Sequence, residues 1–352
     1  MGNVTLKSVA EAAGVSISTV SNAYNKPDQM SAEVRQRVLE AARSLGYPGP
    51  NPAARSLRSQ RAGAIGLLLT ERLSYAFSDP YTVGMLAGVA EVAEQFSTGL
   101  LLIPLEPYDP SRPEDVEPSV DAMRQAVVDG VIAYCVDADH PARQVALGRG
   151  LPLVSNVDGP DAAQAYVVID EHRAAAALGR HLRDLGHRSV GIVVDARRWD
   201  DEPTLVGPED EAALFTDSHA RLVGLRDGLG PDVELTVVFA GHNSHDAGAR
   251  AAAFLLDRRD RPTAIACISD VLALGVIESM QQRGLAVGRD VSVTGFDDVP
   301  AAGAAGLTTI RQPIAEKGRL MGRILVDPDY TERRVVLPTE LVVRSSTGPA
   351  AR

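Results

Sequence analysis

The sequence predicts two parts: an N-terminal all-α head and a larger α/β body of two lobes, each lobe built on a parallel sheet. Short helical patterns fill the first fifty residues, whereas from Ala62 onward continuous apolar strands alternate with amphipathic helices. The same alternation begins again at Tyr166, which predicts two similar halves in series. Continuous apolar strands of this kind are typical of parallel sheets that helices cover on both faces.

Two short helices are predicted at the start of the head, over residues 6–13 and 17–24. Apolar residues recur at i, i+3, i+4 and i+7 in the first helix, which is the pattern of one buried helix face. Thr5 is its expected N-cap, Gly14 its expected end, and Ser16 the expected N-cap of the second helix. Two helices separated by a short turn that contains a glycine have the spacing of a helix-turn-helix.

The second helix has one face that suits base reading in the major groove of DNA. Val20 and Tyr24, four residues apart, are expected to pack inward. The side chains that would then point outward are Ile17, Ser18, Ser21 and Asn22. Short polar and apolar groups of this kind suit contacts with base edges. A third helix, capped by Ser31 and ended by Gly46, completes the head and favours DNA binding over an ordinary helical hairpin.

The charge is unevenly distributed along the chain, which carries a formal net charge of −11. Residues 1–62 contain eight Lys or Arg and four acidic residues, so the head is basic and the body holds the acidic excess. A basic head attracts DNA phosphates, while an acidic body is repelled from them. The distribution therefore favours a nucleic-acid partner for the head, although the whole chain is acidic.

The segment after the head, residues 51–62, is predicted to be a linker that contains a short helix. Asn51 is a suitable N-cap and Pro52 a suitable first helical residue, but two turns are too short to be stable alone. Such a helix would fold only on DNA, where Leu57, flanked by two arginines, would wedge between base steps of the minor groove. The alternative is a frayed basic linker with one incidental leucine.

The head resembles that of the lactose-repressor (LacI/GalR) family over its whole length. The resemblance is carried by residues 5–10, 13–16 and 18–21, by Asn25, by Leu45-Gly46-Tyr47 and by residues 54–58. It implies a homodimer whose recognition helices enter adjacent major grooves of double-stranded operator DNA, with paired hinge helices in the minor groove. Many members carry an arginine and aliphatic residues in place of Asn22-Ala23-Tyr24, a departure that bears on the operator sequence. The implied DNA-binding residues are Thr5, Ser16, Ile17, Ser18, Thr19, Ser21, Asn22, Asn25, Tyr47, Ala54 and Leu57.

The elements of the body are predicted from apolar runs and helical patterns. The first half is predicted to contain strands over 64–69, 99–103, 130–136 and 152–155, and helices over 83–96, 121–129 and 141–149. The second half is predicted to contain strands over 166–169, 189–194, 235–239, 264–268 and 291–294, and helices over 173–185, 218–229, 247–256 and 272–283. Ligands of open parallel sheets bind beyond the carboxyl ends of the strands, so a cleft between the lobes is the expected binding place.

The body also resembles this family, whose effector domain is similar to a periplasmic sugar-binding protein. Matching segments include Asp79-Pro80-Tyr81, residues 290–298 and residues 307–313. The implied domains are a helix-turn-helix domain (1–50), a hinge (51–62) and an effector-binding and dimerisation domain (63–352). The chain would cross between lobes three times, and the implied lobes are about 63–163 with 299–324 and about 164–298 with 325–352. The resemblance implies a sugar or nucleoside as the small-molecule effector.

The candidates for contact with the effector are Tyr81, Arg221, Asn243, Ser269, Asp270 and Asp297. Arg221, Ser269 and Asp297 match positions that contact the ligand in the family. An arginine offers a rigid fork of donors, and a carboxylate can accept hydrogen bonds from two neighbouring hydroxyls. Tyr81 would stack on a sugar or base ring. The alternatives are a surface salt bridge for Arg221, a turn role for Asp297 and a helix cap for Asp270.

Neither a metal site nor a cofactor is expected. His242 and His245 lie three residues apart, but the sequence places no third ligand near them. Cys135 and Cys267 each lie in an apolar run, so two buried thiols are expected rather than a disulfide. The strands are followed neither by a Gly-Lys-Ser/Thr phosphate loop nor by a Rossmann glycine fingerprint, so a nucleotide-driven enzyme is not favoured.

These patterns predict a sequence-specific transcriptional regulator, a repressor controlled by a small molecule, and not an enzyme. The alternatives are a solute-binding protein and an enzyme that uses a carboxylate such as Asp297 or Asp270. The first five residues form no apolar signal segment and no stretch near about 20 apolar residues occurs, so we expect a cytoplasmic protein without a membrane partner. No heptad repeat follows residues 344–347, from which we expect a homodimer rather than a tetramer tied by a tail.

Overall fold

The computed structural model describes residues 4–50, 61–70, 72–106, 116–158, 164–195 and 202–350. The chain forms two compact units, Met1–Gly63 and Ala64–Arg352. The first unit contains the helical head and the second is the α/β body, and each has a hydrophobic core of its own. Among the described residues, we find no helix that is both long and apolar enough to cross a membrane.

The head consists of three helices, α1 (Leu6–Ala13), α2 (Ile17–Asn25) and α3 (Ala32–Leu45). Each begins after a residue whose side-chain hydroxyl accepts a hydrogen bond from a backbone N–H of the first turn, and these residues are Thr5, Ser16 and Ser31. Gly14 and Gly46 end α1 and α3 in the left-handed conformation, at φ of 65° and 68°. The buried core of the head comprises Val9, Ala10, Ala13, Val20, Ala23, Val38 and Ala42.

The body alternates strands and helices in the predicted order. Its described strands are β1 (Ala64–Leu69), β2 (Gly99–Pro104), β3 (Gly130–Tyr134), β4 (Leu153–Ser155), β5 (Ala165–Ile169), β6 (Ser189–Val194), β7 (Thr204–Leu205), β8 (Glu234–Phe239), β9 (Ala264–Cys267), β10 (Ser292–Thr294), β11 (Thr309–Arg311), β12 (Arg334–Leu337) and β13 (Glu340–Val342). Its described α-helices are α4 (Leu73–Ala76), α5 (Pro80–Gln95), α6 (Glu117–Gln125), α7 (Pro141–Gly148), α8 (Glu171–Asp184), α9 (Thr216–Leu229), α10 (His245–Leu256), α11 (Asp270–Gln282), α12 (Pro300–Ala304) and α13 (Ile314–Val326).

The strands form two main sheets and a two-stranded ribbon. The first sheet has the order β12-β5-β4-β3-β1-β2, and all its neighbouring strands are parallel. The second has the order β10-β9-β6-β8-β7 and is parallel except for the pair β7 and β8. β11 and β13 form an antiparallel ribbon. Two lobes built on parallel sheets, as the sequence predicts, are therefore confirmed.

The chain crosses between the lobes three times, but the expected positions of the crossings were wrong. β5 pairs with β4 and β12, so the first crossing follows Ile169 instead of lying near residue 164. Val299 and Leu307 lie in the core of the second lobe, so the second crossing follows β11. β12 completes the first sheet, which places the third crossing after Leu337. An apolar strand carries no mark of the sheet that it joins, because its partners lie elsewhere in the chain.

Helix α5 begins three residues earlier than the apolar pattern predicts. Asp79 is its N-cap, since the Asp79 Oδ2 accepts a hydrogen bond from the backbone N–H of Thr82 at 2.8 Å. Pro80 occupies the first helical position, where its missing N–H costs nothing. The cap thereby fixes Tyr81 in the first turn of α5, at the carboxyl edge of the first sheet.

Two glycines of α9 allow its backbone to pack closely against that of its neighbour α8. A Cβ at Gly224 would collide with the carbonyl oxygen of His172, and one at Gly228 would collide with that of Ala176. Glycine allows the two backbones to approach this closely because it has no Cβ. The position of Arg221, one turn before Gly224, follows from this contact.

Candidate functional site

The first turn of α2 is exposed on the head and contains residues that the sequence predicts to contact DNA. Ile17 is 50% exposed, and Ser16 and Ser18 are exposed beside it, while Val20 is fully buried on the opposite face. The Ser16 hydroxyl lies 2.7 Å from that of Ser18 and 2.8 Å from that of Thr19, so the serine holds the turn as well as capping it. The expected outward orientation is confirmed for Ile17 and Ser18.

Other residues of the predicted DNA-binding set have structural partners in the head. Ser21 and Asn22 are half-buried, and Asn25 donates from Nδ2 to the backbone oxygen of Ser21 at 2.9 Å. The half-buried Tyr47 ring meets that of Tyr24 edge-on, with centroids 6.2 Å apart. Thr5 is the exposed cap of α1, whereas Ala54 and Leu57 lie outside the described residues.

The body contains a cavity of about 590 Å³ between its two lobes, counting the part that is open to solvent. Its walls from the first lobe include Thr70, Tyr75, Asp79, Tyr81, Tyr134 and Cys135. Its walls from the second lobe include Asp195, Phe215, Asp217, Ser218, Arg221, Asn243, Ile268, Ser269 and Asp297. Most of these residues follow the carboxyl end of a strand, which is where ligands of open parallel sheets bind.

Five of the six residues predicted to contact the effector line this cavity. They are Tyr81, Arg221, Asn243, Ser269 and Asp297. Asp270 does not line it. The Asp270 carboxylate is fully buried behind the wall and accepts hydrogen bonds from the Thr309 hydroxyl at 2.6 Å and the Val299 N–H at 2.9 Å. Its expected role as a helix cap was also wrong, because Ser269 caps α11 and Asp270 is the first helical residue.

Arg221 is held inside the second lobe and not on its surface. Its Nε donates to Glu171 at 2.7 Å, and its Nη1 donates to the Ile268 carbonyl at 2.7 Å. The guanidinium lies 3.9 Å from the centroid of the Phe296 ring, and Nη1 lies 3.6 Å from the Asp297 carboxylate. Burial disfavours the charge, but the carboxylates of Glu171 and Asp297 outweigh it and raise the pKa of Arg221. The cation is therefore fixed before any ligand arrives.

Asp297 lies at a strained turn after β10, at φ 121°. Its Oδ1 accepts a hydrogen bond from Gln312 Nε2 at 2.6 Å. Gln312 in turn accepts from Lys317 Nζ at 3.1 Å, and the same ammonium donates to the Tyr81 hydroxyl at 2.9 Å. Burial raises the pKa of Asp297, against the opposing effect of Arg221. Sequence reasoning found Asp297 and Tyr81 but missed the two residues that connect them.

Asn243 joins the two lobes at one edge of the cavity. Its Oδ1 accepts from the Ser269 hydroxyl at 2.6 Å, within the second lobe. Its carbonyl oxygen accepts from the Tyr75 hydroxyl at 2.7 Å, and its Nδ2 donates to that hydroxyl at 3.0 Å. The Tyr75 ring also contacts His242, with centroids 4.3 Å apart. The pair of Tyr75 and Asn243 is called the lobe bridge below.

Three cavity aspartates, Asp79, Asp195 and Asp217, were missed by the sequence analysis. Asp79 is 6% exposed, and its Oδ1 has no hydrogen-bond partner although its Oδ2 caps α5. Asp195 accepts from the Ser218 hydroxyl at 2.6 Å, and burial raises its pKa to about 6. Asp195 follows the end of β6, so the strand-end rule that selected Asp297 could have found it. An unpaired, buried carboxylate oxygen is costly unless a ligand donates to it.

The remaining candidates have other surroundings. His245 pairs with Glu278, and among the described residues no group of three metal-ligating side chains occurs. Cys267 is buried as expected, and burial raises the pKa of its thiol. The expectation for Cys135 was wrong, because it is only partly buried and lines the cavity.

A second cavity of about 780 Å³ lies beside Glu171, between the first and third crossings. Its walls include Asn156, Val168, Glu171, Thr216 and Val336. It is larger than the first cavity, but it is lined by none of the residues predicted to contact an effector. Buried donors and acceptors converge on the first cavity, which is therefore the candidate effector site.

Two family models match the sequence. Residues 5–51 match the bacterial regulatory proteins of the lacI family, and residues 180–347 match a periplasmic binding protein-like domain. An HTH-type transcriptional regulator of Mycolicibacterium smegmatis is 40% identical over 99% of this chain and 97% of the relative. The HTH-type transcriptional regulator IpsA of Corynebacterium glutamicum is 36% identical over 98% of each chain.

Solved structures show the same fold over nearly the whole chain. A LacI-family transcriptional regulator from Corynebacterium glutamicum is 33% identical, with a TM-score of 0.71 and complete coverage of both chains. The regulator CelR, solved in complex with cellobiose, is 28% identical, with a TM-score of 0.64 over 97% of this chain and 99% of that one. The lac repressor dimer bound to operator is 24% identical and shares the fold at a TM-score of 0.78 over 99% and 100%.

Proposed function

This chain belongs to the lacI family of bacterial regulatory proteins, and on that premise we propose that it is a repressor whose affinity for operator DNA is controlled by a small molecule held between its lobes. Family membership makes it a DNA-binding transcriptional regulator, and its relatives are named as regulators and not as enzymes. The observation that carries the effector proposal is the convergence of five predicted contact residues on one cavity. A DNA-binding protein of this kind acts in the cytoplasm.

We infer that the head reads DNA with the first turns of α2. The proposed contacts are Thr5, Ser16, Ile17, Ser18, Thr19, Ser21, Asn22, Asn25, Tyr47, Ala54 and Leu57. Exposure of Ile17 and the basic charge of the head support the proposal. Two heads of a homodimer would contact the two halves of an operator, as the lac repressor dimer is bound to operator in its solved complex.

The cavity favours a neutral, polyhydroxylated effector such as a sugar or nucleoside. Four of its wall residues, Asp79, Asp195, Asp217 and Asp297, are aspartates, and the cation among them, Arg221, is already paired with Glu171. Carboxylates accept hydrogen bonds from hydroxyls and repel phosphate or carboxylate groups. The aromatic rings of Tyr81 and Tyr134 would pack on the apolar face of a ring. CelR, which has this fold, was solved with cellobiose.

Regulation would follow from the difference between two lobe arrangements. If the effector and the operator favour different arrangements, each lowers the affinity of the other by the same factor. A ligand shifts the equilibrium between two lobe arrangements only if it binds one of them more tightly than the other. The effector would therefore act through the groups of both lobes that it contacts.

The test begins with operator selection from random duplex DNA, followed by fluorescence anisotropy to measure affinity. Neutral sugars and nucleosides, including cellobiose, D-ribose and adenosine, are then screened for an increase in melting temperature, because a ligand of the folded state stabilises it. We expect one of them to raise the melting temperature and to change operator affinity, and its phosphorylated form to bind more weakly. A ligand that binds without changing operator affinity would contradict the proposed regulation.

Asp79 provides the matched variant for this screen. Asp79→Asn keeps an oxygen to cap α5 but replaces the unpartnered acceptor by a donor, so effector affinity should fall by roughly 10- to 100-fold, the effect of losing one charged hydrogen bond. Asp184→Ala, a change of an exposed carboxylate at the end of α8, is the control and should bind as wild type does. Equal effector affinity in the two variants would show that the effector does not contact Asp79.

A further inference from the structure

Lys317 is the single lysine of the body, and it is buried. The chain has lysines at positions 7, 26 and 317, and only the last lies beyond the head. Lys317 is 1% exposed, on α13 of the first lobe, and it is not part of the cavity wall. A buried ammonium is costly unless its donors are used, and this one donates to Tyr81, which lines the cavity, and to Gln312, which bonds the wall residue Asp297.

The ammonium fixes the orientation of the Gln312 amide. Gln312 Oε1 lies 3.1 Å from Lys317 Nζ and 3.4 Å from the Tyr81 hydroxyl, both of which can donate. Gln312 Nε2 lies 2.6 Å from Asp297 Oδ1, which can only accept when ionised. A flipped amide would place an oxygen against the carboxylate and an NH₂ group against the ammonium. Both ends of the amide therefore require the same orientation.

We propose that Lys317 is a positioning residue for the effector site, acting through Gln312 and Tyr81 without touching the ligand. With the amide fixed, Asp297 Oδ1 is occupied by Gln312 and lies near Arg221, which directs Oδ2 to the hydroxyls of the effector. This inference rests on the proposed function, because it assigns a role within the same effector site.

The same contacts connect the two lobes. Lys317 and Tyr81 belong to helices of the first lobe, Gln312 follows the ribbon strand β11 at the second crossing, and Asp297 belongs to the second lobe. A change in the angle between the lobes would move the ammonium relative to Asp297. In one lobe arrangement, Lys317 and Asp297 lie at opposite ends of the Gln312 amide. The amide therefore has the orientation that suits effector binding in that arrangement.

A purely structural role would be filled better by an apolar side chain. Methionine matches the length of lysine without the desolvation cost of the charge, and in its presence Gln312 Oε1 keeps the Tyr81 hydroxyl as a donor. Lys317→Met should accordingly keep or raise the melting temperature while it weakens effector binding. If Lys317 instead stabilised the fold, Lys317→Met would lower the melting temperature together with the effector affinity.

The test that needs no effector observes the Gln312 side-chain amide by ¹⁵N NMR of full-length protein, with the signal assigned from a Gln312→Met variant. In wild type the NH₂ protons should exchange slowly with solvent. We expect Lys317→Met to speed their exchange by tenfold or more, and Lys317→Arg, which keeps donors, to restore much of the protection. An unchanged amide signal in a folded Lys317→Met protein would overturn the proposal.

The second measurement uses the neutral sugar that raises the wild-type melting temperature most among cellobiose, D-ribose and D-glucose. Its affinity should fall tenfold or more in Lys317→Met and stay unchanged in Lys7→Met, which alters an exposed lysine of the head. Unchanged affinity in Lys317→Met would also overturn the proposal. If neither these sugars nor adenosine binds wild type, the proposed effector class fails, and the amide signal still decides whether Lys317 sets the geometry at Asp297.

Discussion

Two buried aspartates of similar acidity have different surroundings. Burial raises the pKa of Asp195 to about 6, against the opposing hydrogen bond from Ser218, and it raises the pKa of Asp270 to about 6 as well. Asp195 lines the cavity, whereas Asp270 accepts hydrogen bonds from Thr309 and Val299 behind the wall. Of the two, Asp195 is placed to link proton binding to effector binding.

We expect effector binding to strengthen as the pH rises from about 5 to about 7, because hydroxyl donors favour the charged form of Asp195. The effect on folding has the opposite sign. A raised pKa in the folded state gives stability that is present below the ordinary aspartate pKa and is lost as the pH rises through about 6. Asp195→Asn should flatten the affinity profile, which calorimetric titrations can measure. In melting curves it should remove only the share of Asp195, because the pKa values of Asp270 and Asp297 are also raised. An affinity profile that survives this substitution would assign the titration to another group.

Single residues of the site were predictable where their chemistry and position agree. Arg221 and Asp297 have the side chains that bind hydroxyls, and Asp297 follows a predicted strand. Lys317 could not be found in this way, because a lysine in an amphipathic helix is typical of an exposed face. Gln312 acquires its role only from Lys317 and Asp297, which lie on different elements.

Helix α2 has an exposed face, which we propose reads DNA, and a buried face, which belongs to the core of the head. Ile17→Ala should weaken operator binding by roughly tenfold, because each carbon lost from a buried apolar contact costs about 0.8 kcal/mol, while the melting temperature changes little. Val20→Ala, three residues further on, removes methyl groups from the core of the head and should destabilise it by about 1–2 kcal/mol. Anisotropy titrations and thermal melts of the two variants give the comparison. Full operator affinity in Ile17→Ala would remove this residue from the interface.

Elements were predicted well where local chemistry defines them. Thr5, Ser16 and Ser31 cap helices as expected, and the apolar runs of the body form strands in the expected order. The lobe boundaries failed because β5 and β12 pair with each other across more than a hundred residues. Hydrophobic periodicity indicates that a strand is buried, but it does not identify the strand with which it pairs.

The whole effector domain depends on contacts that its two lobes make with each other. Tyr75, from α4 of the first lobe, exchanges hydrogen bonds with Asn243 of the second at 2.7 and 3.0 Å. Since Asn243 also accepts from Ser269, this lobe bridge reaches the wall of the cavity. Opening the lobes must break it, so the lobe bridge should slow the release of an effector.

Tyr75→Phe removes both hydrogen bonds of the lobe bridge and keeps the ring that contacts His242. We expect the effector to dissociate several-fold faster, with a smaller change in the association rate, because the closed arrangement loses about 1–2 kcal/mol. Stopped-flow measurements of both rates check this. Phe77→Ala, an exposed residue of the same segment, is the control. Equal dissociation rates in the two variants would show that closure does not depend on the lobe bridge.

The pairing of β12 with β5 also orders events during synthesis. The three helices of the head form their core from one continuous segment, so this part can fold as soon as it leaves the ribosome. The first sheet is complete only after residues 334–337 have been synthesised. The second lobe is complete only after Ser346, whose hydroxyl donates to the Val293 carbonyl. A ribosome therefore produces a folded DNA reader long before either half of the domain that is to control it, and the nascent chain passes through a stage in which the reader is present without its regulator.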